Sequence, residues 1–182
     1  TKGDGVDEMR DASLELLVGL AGPDSGDTVL DYAAGAGIAG FAVASDVRAV
    51  EAADEQPDLL EEGKRLAEEL FLVNVAFTLA DLYALPFADG AFSLVVCQDA
   101  LHRLPYPAAA LVEMARVTSP GGRVVIVRDV TLSVGLIIRQ IGKALALGYR
   151  LDRLRQPEPC LELRHLKVHV GLDPVQVLVR GL

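Results

Sequence analysis

The chain has 182 residues, 51% of them hydrophobic, with a formal net charge of −9, which fits one domain that buries roughly 70% of its unfolded surface. No apolar run approaches the ~20 residues that cross a bilayer, so we expect a cytoplasmic protein without stable membrane insertion, and two cysteines, Cys97 and Cys160, make neither a disulfide framework nor a metal cluster. Residues 1–120 carry 7 basic against 21 acidic side chains, which argues against a nucleic-acid face, whereas residues 121–182 carry 10 against 5 and leave room for an anionic substrate or partner.

After a polar start, Met9, Leu14, Leu16, Leu17 and Leu20 predict a leading helix that ends near Gly22-Pro23. Strand-like apolar runs follow at 29–32, 47–52, 73–79, 92–97 and 123–128, and between them 36–44, 57–70 and 108–117 have the spacing of crossover helices. Continuous hydrophobic strands linked by helices predict a parallel sheet covered on both faces. A helical stretch over 133–151 comes next, with Leu136, Ile137, Ile141 and Leu145 on one side and Arg139 and Lys143 interrupting it; this pattern predicts packing against the sheet first, with the apolar side expected to form part of a lid or acceptor wall. The alternation of Leu163, Leu166, Val168 and Val170, the turn Gly171-Leu172-Asp173-Pro174, and then Val175, Val177 and Val179 predict a closing hairpin. The expected fold is α/β, a Rossmann-like three-layer α/β/α sandwich whose mostly parallel seven-stranded sheet ends in an antiparallel hairpin. Its single domain divides into a leading helix (1–27), a core (28–128), a substrate or lid region (129–162) and the hairpin (163–182).

The first strand runs into VLDYAAGAGIAG, in which Gly35, Gly37 and Gly40 spell G-x-G-x-x-G. These letters serve a dinucleotide dehydrogenase or an S-adenosylmethionine site equally, and they also describe a plain tight strand-to-helix turn. Asp31 separates the first two: a carboxylate there repels a pyrophosphate on the following helix N-terminus but suits a cofactor with a sulfonium and an amino group.

Four blocks in order, VLDYAAGAG, VRAVEAAD, ADLYALPFADGAFSLVVCQDALHRL and EMARVTSPGGRVVIV, span about residues 28–128. In these blocks the chain resembles the class I S-adenosylmethionine-dependent methyltransferases, the small-molecule branch similar to the ubiquinone/menaquinone-biosynthesis enzymes. The resemblance implies S-adenosyl-L-methionine as cofactor, S-adenosyl-L-homocysteine as product, a small-molecule methyl acceptor and no metal; a homodimer is compatible with it. It implies that Ala33, Gly35 and Gly37 lie along the methionine part of the cofactor and that Asp31 engages it electrostatically or through water. Glu51, placed at the tip of the second strand, would accept from both ribose hydroxyls with Ala52 beside it, or else be one more exposed carboxylate. Asp81 would meet the adenine amine and Leu82 the ring, although an Asp that caps a turn is the plain alternative. After the fourth strand, Gln98 borders the cofactor and His102 stands where the methyl emerges, either as a general base or as a wall of the pocket. The Pro120-Gly121-Gly122 turn before the fifth strand is read as scaffold.

The chain departs from the pattern at two places. Ala33 replaces the first glycine of the loop, which a negative φ would accommodate, and only 14 positions separate Gly37 from Glu51. Three functions therefore remain in view: a methyltransferase, a non-catalytic relative that binds the same cofactor, and an NAD-binding oxidoreductase.

Overall fold

The computed structural model describes the backbone of residues 4–127, 160–163, 166–172 and 175–181, and the side chains of residues 13–127. Five strands, β1 (Thr28–Tyr32), β2 (Ala49–Asp54), β3 (Val75–Leu79), β4 (Phe92–Gln98) and β5 (Thr118–Val127), pair in parallel in the order β3-β2-β1-β4-β5. Their interior positions Val29, Leu30, Leu94, Val95, Val96 and Val125 are fully buried, as expected of strands with helices on both faces.

Helices α1 (Asp4–Ala21) and α2 (Ile38–Ala44) cover one face, where Leu17, Ala39 and Val43 meet Val29, Val50, Leu94 and Val96. Helix α4 (Pro107–Val117) covers the other, with Ala110, Met114 and Val117 packed on Leu30, Val95 and Ile126. Helix α3 (Pro57–Glu69) lies along β2 and β3. None of the described helices is long and apolar enough to cross a membrane.

Among the described residues the sheet has eight strands, which corrects the expected seven. Beyond β5 come β8 (Val175–Gly181), β7 (Leu166–Leu172) and β6 (Cys160–Leu163), each antiparallel to its neighbour. The hairpin is thus β7–β8, and the additional strand β6 begins inside the stretch assigned to the substrate region. The helix expected over 133–151 lies outside the described residues.

Strand limits moved for identifiable reasons. Residue 73 does not start β3, because Asn74 turns its side-chain amide onto the carbonyls of Ala44 (2.8 Å) and Val47 (3.1 Å), and pairing begins at Val75. Likewise Pro120-Gly121-Gly122 lies within β5 rather than before it. There the register jumps from Phe92↔Thr118 to Leu94↔Arg123, with Gly121 at φ 76°, so the glycines form a bulge.

Two buried acids fasten the frame. Asp27 takes Arg123 and the Ser93 hydroxyl (2.7 Å), while Arg123 also reaches the carbonyl of Gly22 (2.8 Å), tying the end of α1 to the sheet. Burial alone would raise the Asp27 carboxyl, but the hydrogen bonds from Arg123 and Ser93 outweigh it and hold it low. On the opposite face Glu113 accepts from the Leu85 amide (2.7 Å) and from Arg116 (2.6 Å), and Arg116 donates onward to the carbonyls of Leu85 and Phe87. This clamp sets the course of the loop after β3.

Candidate functional site

The chain leaves β1 toward β2 and β3 on one side and returns to β4 on the other, so the order reverses between β1 and β4. Crevices open at such a switch point outside the carboxyl ends of the strands. Three loops meet that edge, those after β1, β2 and β3, and the 3₁₀ turn Leu101–Arg103 follows β4.

The loop after β1 is built from left-handed residues: Ala33 at φ 56°, Gly35 at φ 56° and Gly37 at φ 85°. The expectation of a negative φ at Ala33 is therefore corrected. The turn imposes the same conformation that a glycine would adopt, and the Ala33 methyl group makes it costlier by about 1–2 kcal/mol.

Gly37 is the N-cap of α2 and brings no side chain, so a first-turn N–H of the helix needs another acceptor. Asp31 supplies it: its Oδ2 accepts from the Gly40 amide at 2.7 Å. Gly40 is small by necessity, since a Cβ there would lie 2.8 Å from Val50 Cγ1 and 3.2 Å from Asp31 Oδ2. Asp31 is only 1% exposed. Burial pushes its carboxyl up to about 7, the Gly40 N–H opposes this, and the nearby Asp54 charge adds to it. Asp31 is thus an internal helix cap, a role that the sequence reading did not assign to it.

At the end of β2 the sequence reading is corrected again. The strand continues three residues beyond Glu51, to Asp54, because Pro57 at the first helical turn of α3 lets the strand run almost up to it. Glu51 is therefore mid-strand, where its Oε1 accepts from the Thr78 hydroxyl at 2.6 Å. Ala52 is wholly buried between Asp31 on β1 and Phe77 on β3, so it cannot line the crevice. The carboxylate at the strand end is Asp54: its Oδ2 accepts from the Gly35 amide (2.8 Å) and its Oδ1 from Gln56 (2.9 Å). Counting back from Pro57 was the signal that could have found it. Close by, α3 lies tight on the loop, since a Cβ on Gly63 would sit 2.6 Å from the Ala36 carbonyl oxygen.

After β3, Asp81 is exposed and its Oδ1 accepts from the Tyr83 amide at 2.8 Å, the plain turn-capping arrangement. Leu82 is 3% exposed and its side chain belongs to the core with Tyr32, Ala53 and Leu85. This corrects the expectation that Leu82 lies open to a ring. Its peptide group is held from two sides, the N–H by Glu55 Oε1 (3.2 Å) and the carbonyl by the Tyr32 hydroxyl (2.5 Å). Burial pushes the Tyr32 phenol upward, so it stays a protonated donor.

After β4, Gln98 Nε2 donates to the Ser13 hydroxyl of α1 at 2.9 Å. Asp99 turns left-handed (φ 50°) and its amide reaches the Val127 carbonyl (2.8 Å), which leads the chain into the 3₁₀ turn that exposes His102. Cys97 is buried, with its thiol pushed up to about 12 by desolvation, and is inert there. Among the described residues no cluster could hold a metal ion.

The profile of the methyltransferase-domain family matches residues 23–143. This chain belongs to that family. The methyltransferase domain is similar to the demethylmenaquinone methyltransferase of Beutenbergia cavernae, with 39% identity over 123 residues that cover 67% of this chain and 48% of that protein. Among solved structures it is similar to the YcgJ protein of a Bacillus species, at TM-score 0.62 and 30% identity over 64% of this chain and 50% of the other. A geranyl diphosphate methyltransferase in complex with S-adenosylmethionine superposes at TM-score 0.59 with 25% identity, covering 64% of this chain and 48% of that one. The chain spans about half the length of these relatives.

Proposed function

We propose that this methyltransferase domain binds S-adenosyl-L-methionine at the carboxyl edge of β1, β2 and β3 and serves transfer of a methyl group to a small-molecule acceptor by in-line displacement. The observation that carries the reading is the Asp54 carboxylate, held at the end of β2 against the glycine loop by the Gly35 amide. Each carboxylate oxygen has two lone-pair positions, and Asp54, 5% exposed, gives one from each to the backbone, which leaves acceptor capacity that a ribose diol reaches once the loop after β2 shifts aside. In this reading Asp54 takes the ribose role, Gly35 and Gly37 admit the methionine part, and Asp81 receives the base amine. When bound, the cofactor supplies a sulfonium methyl already reactive enough that the protein's task is alignment and exclusion of water. His102, exposed on the turn after β4, is the residue we assign to acceptor placement. The solved relative that holds S-adenosylmethionine supports the cofactor, and the demethylmenaquinone methyltransferase name supports a small-molecule acceptor.

The dinucleotide reading loses ground on the same geometry. A pyrophosphate needs the loop and helix N–H groups, but Gly35 gives its amide to Asp54, Gly40 to Asp31 and Gly37 to the Ala34 carbonyl. Against the non-catalytic reading, the loop keeps its left-handed turn at Ala33, at the cost of the Ala33 strain, and the strand-end carboxylate that the short spacing after Gly37 put in question is supplied by Asp54.

Calorimetric titration with S-adenosylhomocysteine and NAD tests the reading. Binding of the first and not the second is expected; NAD binding, or silence toward both, overturns it. Methyl transfer from labelled S-adenosylmethionine to small acceptors then separates an enzyme from a binding module.

A further inference from the structure

We infer that Tyr32 and Glu55 are positioning residues that set the selectivity of the site for an amino-bearing purine, an inference that rests on the S-adenosylmethionine reading above. Neither was singled out by its sequence pattern. Tyr32 ends β1 immediately before the left-handed Ala33, and Glu55 follows the end of β2 next to Asp54. From these two strand ends they grip one peptide group of the loop after β3: the Tyr32 hydroxyl donates to the Leu82 carbonyl at 2.5 Å, and Glu55 Oε1 accepts from the Leu82 amide at 3.2 Å.

Packing alone does not call for a hydroxyl at position 32. Tyr32 is fully buried among apolar neighbours, where Phe would fill nearly the same volume, and a buried hydroxyl is unfavourable unless it is bonded. Its bond fixes the residue next to Asp81, whose own carboxylate is folded back onto the Tyr83 amide. The distance and angle between Asp54 and Asp81 are thus referred to the ends of β1 and β2 rather than left to an exposed loop. A ligand that spans the two acids meets a base-binding loop already in place, so affinity that depends on the base amine depends on these two residues.

Tyr32→Phe tests this. In the ligand-free variant the amides of residues 81–85 should exchange at least about tenfold faster, because loss of one buried hydrogen bond corresponds to a factor of that order. Affinity for S-adenosylhomocysteine should fall about five- to tenfold. Affinity for S-inosylhomocysteine, which carries a carbonyl in place of the amine, should change less, so the preference between the two ligands shrinks. Glu55→Ala should repeat the pattern from an exposed side chain that does not endanger folding, and Glu55→Gln, which keeps the acceptor oxygen, should restore it. An equal loss for both ligands, which a merely structural role would give, overturns the inference, as does no change in either variant. Failure of the wild-type chain to bind S-adenosylhomocysteine would instead remove the cofactor reading itself, and the inference with it.

Discussion

Asp31→Asn gives the most quantitative prediction about the loop. Asp31 is 1% exposed, caps α2 through the Gly40 amide, and has its carboxyl raised from 3.8 to about 7 by burial. A folded-state value above the unfolded one means that the native protein holds the extra proton between the two, so this group removes stability as pH rises from about 4 to about 7. From pH 5 to pH 8 about two units of that interval are crossed. At about 1.4 kcal/mol per unit the wild type loses up to about 3 kcal/mol through Asp31, with the N-terminal dipole of α2 acting against the loss. Asn keeps an oxygen for the Gly40 amide and cannot ionise. Urea unfolding of both proteins at pH 5 and pH 8, followed by circular dichroism, reads the double difference, in which the three histidines of the chain cancel. Asp27 and Glu113 do not enter, since both are held below their ordinary values and add stability that is lost only in more acidic solution. The variant should gain on the wild type by about 2–3 kcal/mol between pH 5 and pH 8. A difference independent of pH would refute the argument that burial holds this carboxyl protonated.

Other substitutions probe neighbouring parts of the structure. Phe71 occupies the left-handed C′ position after α3 (φ 57°), with its amide on the Glu68 carbonyl and the Leu72 amide on that of Ala67. It is 88% exposed, so Phe71→Gly should add about 1 kcal/mol and raise Tm by about 2–4 °C in a thermal scan. Gly63→Ala should cost about 1–3 kcal/mol in urea unfolding and also weaken S-adenosylhomocysteine binding, because the new methyl group displaces the Ala36 carbonyl. His102→Ala should lower turnover while calorimetric affinity for S-adenosylhomocysteine stays nearly unchanged; equal losses would make it a structural or cofactor residue.

The parallel core was legible because its strands are continuous apolar runs and its helices have clean spacing, and Pro57 and Pro107 stand at helix starts. The strand ends were harder to read. Ala52 and Ala53 carry little strand signal, so the sequence pattern ends β2 at residue 52 and puts Glu51 at its tip, whereas the strand runs on to Asp54. The site reading suffers most from this, since the strand end lies three residues beyond Glu51, at Asp54. The capping role of Asp31 is not legible, because sequence shows a carboxylate before a glycine loop but not that a glycine N-cap leaves a helix amide needing that carboxylate. The hydrogen bond from Tyr32 to Leu82 joins residues 50 positions apart, and no local pattern announces it.

The central claim is that the carboxylate at the end of β2 holds the cofactor ribose, and calorimetric titration of S-adenosylhomocysteine into the wild type, Asp54→Asn and Glu51→Gln tests it most directly. Loss of a hydrogen bond to a charged group costs about 1.5–3 kcal/mol, so Asp54→Asn should lose about tenfold or more in affinity, with thermal unfolding run alongside to show that the fold persists. Glu51→Gln, whose partner is Thr78, should bind almost as the wild type does. Unchanged affinity in Asp54→Asn, or a loss confined to Glu51→Gln, would contradict the account.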